Sequence, residues 1–133
     1  MFESLHININ PLTHTTMKTF KDLEFVPQDA GRGIRARIQF DNGFGLSVIH
    51  SPYAYCDENT YEVAILEDDE ICYDTPLSDG DVLPYKTEEE ITKIMEEMQD
   101  AKFLKKVTKF RINNTIKEML NNTEQIIQLV KLL

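Results

Sequence analysis

A chain of 133 residues, 41% of them hydrophobic, is the size of one ordinary domain. It can build a core without disulfide or metal staples, and its periodic apolar positions exclude a disordered chain. The net charge of −9 is unevenly spread: residues 1–50 balance at zero, 51–100 carry −14 and 101–133 carry +5, so an acidic middle discourages direct nucleic-acid binding there.

Residues 1–16 form a polar leader with His6 and His14. Leu5, Ile7 and Ile9 alternate and can add an edge strand, while a terminal segment of this kind is equally open to disorder. Phe20 to Val26 reads as a short strand entering the fold, and Pro27 with Gly31-Arg32-Gly33 as a loop.

From Ile34 the pattern becomes a meander. Ile34, Ala36, Ile38 and Phe40 alternate with Arg35, Arg37, Gln39 and Asp41, as in a strand with one buried and one wet face. Asn42-Gly43 supplies a turn, since both residues tolerate positive φ, and the return strand runs from Phe44 to His50. A plain two-residue loop would set Gly45 opposite Phe40 and throw the apolar residues of the two strands onto opposite faces. A bulge at Gly45 sets Leu46 opposite Phe40 and Val48 opposite Ile38, so the spacing predicts a bulged hairpin. A third strand is expected over Tyr61 to Leu66, a turn at Glu67, Asp68, Asp69 and Glu70, and a short fourth strand over Ile71 to Asp74. Thr75-Pro76 ends it, because proline lacks the N–H a ladder needs.

Leu77 to Lys86 reads as a loop. Thr87 opens a helix, with Glu90 completing a capping box and Ile91, Ile94, Met95 and Met98 forming the stripe that packs on the sheet. Beyond Gln99 the stripe changes phase, which predicts a break before a second helix. There Phe103, Val107 and Phe110 line one side and Lys102, Lys105, Lys106 and Lys109 another. Ile112, Ile116, Met119, Thr123, Ile126, Val130 and Leu133 follow at alternating spacings of four and three, the seam of a coiled coil. Such a tail has to bury against its own domain or another chain. Two Asn-Asn-Thr repeats weaken helix propensity and offer Asn121-Asn122 as a place to break. The expected fold class is α+β: a small antiparallel meander with a packed helix over residues 17–100, and a helical tail over 101–133.

The chemistry-bearing residues form no strong motif. His50, Cys56, Asp57 and Cys72 lack the spacing of a zinc site, and nothing beside Cys56 and His50 marks an oxyanion hole. The acidic turn lacks the glycine and spacing of a calcium loop. No cofactor is expected, and the chain leans away from enzymes; a small metal-dependent or Cys–His hydrolase using His50, Cys56 and Asp74 is the rival. The connection from His50 to Asn59 is the best binding candidate, because long loops on rigid sheets carry function. Tyr53, Tyr55, Asp57 and Glu58, with Glu67, Asp68, Asp69 and Glu70, are the candidate partner-binding residues, although Tyr53, Tyr55 and Tyr61 could equally cap the core. Ile112, Ile116, Met119, Ile126, Val130 and Leu133 are the candidate self-association residues, a dimer being favoured.

Asp41-Asn42-Gly43-Phe44-Gly45, Pro52-Tyr53-Ala54-Tyr55, Tyr61-Glu62-Val63-Ala64-Ile65-Leu66 and Cys72-Tyr73-Asp74-Thr75-Pro76 resemble small uncharacterised proteins of tailed bacteriophages over about Met17 to Gln99. Those proteins usually carry a glycine-rich turn where this chain has Cys56-Asp57-Glu58-Asn59. The resemblance brings no catalytic residues and no known activity; together with the chain's size, its acidic middle and the lack of a catalytic constellation, it leads to the expectation of a non-enzymatic phage accessory protein that binds a host macromolecule, a host protein in the first instance, and inhibits or redirects it, as in counter-defence. A structural or assembly protein is the alternative. Two cysteines, no apolar run near the length of a membrane span and no signal-like leader lead to the expectation of a cytoplasmic, non-membrane protein with reduced thiols.

Overall fold

The computed structural model describes residues 16–133, so the leader strand expected over Leu5, Ile7 and Ile9 lies outside the described residues. Among these, strands β1 (Val26–Gln28), β2 (Gly33–Gln39), β3 (Phe44–His50), β4 (Tyr61–Glu67), β5 (Glu70–Ile71) and β6 (Leu83–Lys86) form one antiparallel sheet. Helices α1 (Glu88–Gln99) and α2 (Phe103–Val130) follow, giving the expected α+β class. The strands run β1-β2-β3-β4, and β5 and β6 share the far edge of β4, one along each half. Both edges carry a proline, Pro27 in β1 and Pro84 in β6, which interrupts the donor row that would otherwise invite another strand.

The hairpin between β2 and β3 corrects the expected register. Ile38 lies opposite Leu46 and Ala36 opposite Val48, while Gly45 stays in the ladder opposite Gln39. The extra residue sits at Gly43: the Gly43 N–H donates to the Phe40 carbonyl at 3.2 Å and the Phe40 N–H to the Phe44 carbonyl at 2.8 Å. This three-residue loop with a left-handed glycine, φ 90°, brings both apolar sets onto one face without a bulge inside the strand. Gly45 is needed for a different reason, since a Cβ there would meet the Ile38 carbonyl oxygen at 2.2 Å.

Three further expectations change. Phe20 to Val26 is a 3-10 turn (Phe20–Asp22) leading to β1, because its backbone is claimed by side chains. The Phe20 N–H donates to Thr92 Oγ1 at 3.1 Å and the Thr19 N–H to Asp22 at 2.8 Å, while Phe20 and Phe25 stack around Tyr61. The fourth strand stops at Ile71, short of Asp74, since the chain curls through mutual Thr75 and Ser78 hydrogen bonds. The segment read as a loop from Leu77 contains β6, an edge strand that tolerates Pro84.

The core lies between the inner sheet face and the helices. Ala36, Phe44, Leu46, Val48, Val63 and Ile65 meet Ile91, Ile94, Met95 and Met98 of α1, then Phe103 and Val107 of α2. The α1 stripe and its cap are as expected: Thr87 Oγ1 accepts from the Glu90 N–H at 3.2 Å and Glu90 accepts from the Thr87 N–H at 2.9 Å. That reciprocal bond holds the Glu90 carboxyl below its ordinary range. The chain turns at Asp100 and α2 then runs unbroken through Asn121-Asn122. Thr115 and Thr123 hydroxyls donate to the carbonyls of Arg111 and Met119 at 3.0 and 2.9 Å, so they do not compete for the backbone ahead of them.

Candidate functional site

The loop from His50 to Thr60 is stiff. Asp57 accepts from the Asn59 N–H at 3.1 Å and the Thr60 hydroxyl at 2.8 Å, while its own N–H donates to Thr60 Oγ1 at 2.9 Å. The Thr60 hydroxyl bond, then the Asn59 N–H, lower the Asp57 pKa. His50 Nδ1 lies 2.9 Å from the Thr60 carbonyl, and the Ser51 hydroxyl donates to Asp29 while accepting from the Tyr53 N–H. A turn without glycine is thereby closed by side-chain bonds.

The three tyrosines considered for this loop divide. Tyr61 is half-buried among Phe20, Phe25 and His50, and burial raises its pKa. Tyr53 and Tyr55 stay 66% and 64% exposed. The Arg32 guanidinium lies 5.2 Å from the Tyr53 ring centre, and the Tyr55 N–H donates to Glu62 at 2.8 Å. Glu58 is exposed nearby, so Tyr53, Tyr55, Asp57 and Glu58 share one presented loop.

The acidic turn is built differently. Asp68 and Asp69 both take positive φ, as a two-residue hairpin between β4 and β5 requires. Asp69 accepts Arg37 of β2 at 3.2 Å, so the arginine spans β3 across its small residues Gly45 and Ser47. The Asp68 N–H donates to the Gly43 carbonyl at 2.9 Å. Glu67 faces Arg111 of α2, with contacts of 2.7 and 3.3 Å, and Glu70 is exposed. Two of the four candidate acids, Glu67 and Asp69, therefore use their carboxylates, and Asp68 its backbone N–H, in tying the fold together.

Arg111 is the residue sequence reasoning passed over. It also meets the Asp74 carboxylate and carbonyl, each at 3.2 Å, and Cys72 Sγ at 3.3 Å. Its hydrogen bonds push Glu67 below the ordinary glutamate range, while burial and the Asp74 carboxylate raise the Cys72 thiol. Arg111 is the one arginine in a run of lysines and stands beside Phe110 on the docked side of α2, but nothing in the sequence ties it to Glu67 and Asp74, 44 and 37 residues away.

His50, Cys56 and Asp74, the set considered for hydrolysis, do not converge: His50 bonds Thr60, Cys56 bonds the Ser51 carbonyl and Asp74 belongs to the Arg111 cluster. No group of three His, Cys, Asp or Glu side chains placed to hold a metal occurs among the described residues. A cleft of about 470 Å³ between the β2–β3 loop and Lys18–Gln99 is lined by none of the candidate residues.

Helix α2 presents an open apolar face. Phe103 and Val107 are buried and Phe110, Arg111 and Asn114 half-buried, but beyond Asn114 every residue is exposed. Ile116, Met119, Ile126, Val130 and Leu133 all lie on this open part, and Ile112, just before Asn114, is exposed as well. No described helix is long and apolar enough to cross a membrane. Comparison with family models, with curated proteins and with solved structures finds no match to this chain.

Proposed function

We propose that this protein acts by binding rather than by catalysis, as a phage accessory protein that self-associates through α2 and uses its acidic sheet domain to engage and inhibit or redirect a host macromolecule. The observation that carries the binding reading is α2, which leaves the domain with Met119, Ile126, Leu129 and Val130 all more than half exposed. The part of α2 beyond Asn114, roughly four to five turns, is marginal in water unless its apolar face is covered. The contiguous apolar surface from Ile112 onward is on the order of 1,000 Å², above the ~300–600 Å² that a monomer usually leaves open.

The host-directed part rests on the phage resemblance and on the −14 carried by residues 51–100, a surface suited to sites built for polyanions. Affinity purification of the intact chain and of a chain lacking residues 113–133, from a bacterial lysate, tests it alongside phage growth on a defended host. A stoichiometric host protein retained through salt washing, with altered growth, is expected. Neither partner nor growth effect would sink the host-directed reading; clean oligomers alone would favour an assembly role, for which α2 is again the supporting observation.

A further inference from the structure

The two faces of α2 point in opposite directions. Taking Ile112, Met119, Ile126 and Leu133 as heptad d positions, with Ile116, Thr123 and Val130 as a, the domain-facing residues Phe103, Val107, Phe110 and Asn114 fall at b and f. These are across the helix from the seam. The sheet domain therefore leaves the seam open along its whole length, and a second helix can lie beside it without meeting the domain.

From Ile112 onward the seam is built to meet its own kind. The charged residues Lys117, Glu118, Glu124 and Lys131 sit at b and c, away from the contact, so a, d, e and g carry no charge to repel a copy. Thr123, the polar member, turns its hydroxyl back to the Met119 carbonyl at 2.9 Å, so its donor is satisfied within its own helix. Ten apolar side chains from Ile112 onward, each at least 47% exposed, give the seam and its flanks the apolar centre that a stable interface buries.

Orientation follows from charge and symmetry. In a parallel pair Lys105 and Lys109, which continue the seam toward the domain at d and a, would face their own copies, and two acidic domains would sit side by side. An antiparallel pair separates the domains by roughly 27 Å of helix, several Debye lengths. With Ile116 opposite Ile126, the two-fold axis falls at Asn121. Leu120 then meets Leu120 of the second copy on one flank, and Asn122 meets Asn122 on the other, an amide pair in which each side chain can donate and accept.

We propose that α2 forms an antiparallel coiled coil with α2 of a second copy, in the register that seats Ile116 of each chain against Ile126 of the other. This deepens the self-association reading and rests on it, but not on the host target. The test uses the full-length chain, with mass by light scattering over a dilution series. The wild type is expected at twice the 15.4 kDa chain mass. Ile116→Lys and Ile126→Glu should each weaken the dimer at least a hundredfold, while their equimolar mixture regains it, because the lysine of one chain then faces the glutamate of the other. Unchanged amide exchange in β3 and β4 shows that each variant keeps its fold.

A wild-type monomer at tens of micromolar, or a larger oligomer, overturns the pair. A dimer regained by mixing Ile116→Lys with Ile116→Glu, and not with Ile126→Glu, overturns the antiparallel register in favour of a parallel one. A monomer that still holds a host protein through residues 113–133 overturns the self-pairing and leaves the binding reading standing.

Discussion

Arg111 holds Glu67 through both terminal guanidinium nitrogens, at 2.7 and 3.3 Å, and so joins α2 to the end of β4, 44 residues earlier in the chain. The pair lies where β4 hands over to the β5 turn, and the same guanidinium reaches the Asp74 carboxylate and carbonyl. One side chain therefore fixes the sheet edge, the chain leaving β5 and the angle at which the helix departs.

Arg111→Met should loosen that junction without unfolding the sheet. Both partners are about one-third exposed, so solvent screens the pair and the expected cost is roughly 1 kcal/mol. Urea unfolding gives the total, and amide exchange should show residues 103–112 opening more than β3. A loss above about 3 kcal/mol would mean that Arg111 supports the core itself.

Acid should weaken the same contact. The Arg111 bond keeps the folded Glu67 pKa below its unfolded value, so the unfolded chain binds the proton more readily in the interval between them. The contribution is complete above the ordinary glutamate range, near pH ~4.3, and is lost as pH falls through the lower folded value. Glu67→Gln removes this titration, and its stability should change less with pH below about 4 than that of the wild type. Identical slopes in the two proteins would show that Glu67 does not sense Arg111.

The two glycines of the β2–β3 hairpin should respond differently to alanine. At Gly43 the obstacle is the backbone angle, φ 90°, with the nearest atom 3.5 Å from a new Cβ, so the cost is about 1–2 kcal/mol. At Gly45 the obstacle is the Ile38 carbonyl at 2.2 Å, a backbone atom inside the ladder that cannot swing aside. Gly45→Ala should cost more than about 3 kcal/mol or disrupt the β2–β3 register. Thermal melts rank the two, and equal losses would contradict the register found here.

That hairpin shows how far the sequence could be read. Alternation in β2 and the need for one apolar face establish that an extra residue is present, but the pattern is satisfied equally by an extra residue at Gly43 or Gly45. The choice is made by the Phe40–Phe44 hydrogen bonds, which have no signature in hydropathy. The α1 cap and stripe were legible because each rests on local spacing within one helix. The role of Arg111 and the division of the acidic turn were not. They depend on contacts between residues more than 30 apart, where an arginine among lysines, or an aspartate among acids, looks the same whether paired or solvated. Of the candidate loop, length and polarity marked it out, while the inward Tyr61 and outward Tyr53 and Tyr55 were separated only by the Phe20 and Phe25 rings packing in from the chain's start.

The base of α2 depends on Phe103, which is fully buried and meets Phe44 edge-to-face at 5.1 Å and 87°. Phe44 opens β3, so this contact places the first turn of α2 over the hairpin that α1 also holds through Asn42 and the Met98 carbonyl at 2.8 Å. Phe103→Ala removes a whole ring from a closed core and should cost about 3–5 kcal/mol. Phe103→Leu keeps most of the volume and should cost less than half as much, losing chiefly the ring-to-ring geometry, which is worth ~1 kcal/mol. Because Val107, with the half-buried Phe110 and Arg111, would then be left to hold the helix base, amide exchange in α2 should rise in Phe103→Ala before that of β3 or β4 does. If the sheet and α2 instead lose protection together, the helix base is part of one cooperative core rather than a docked element, and the long exposed face beyond Asn114 would be anchored more firmly than these contacts imply.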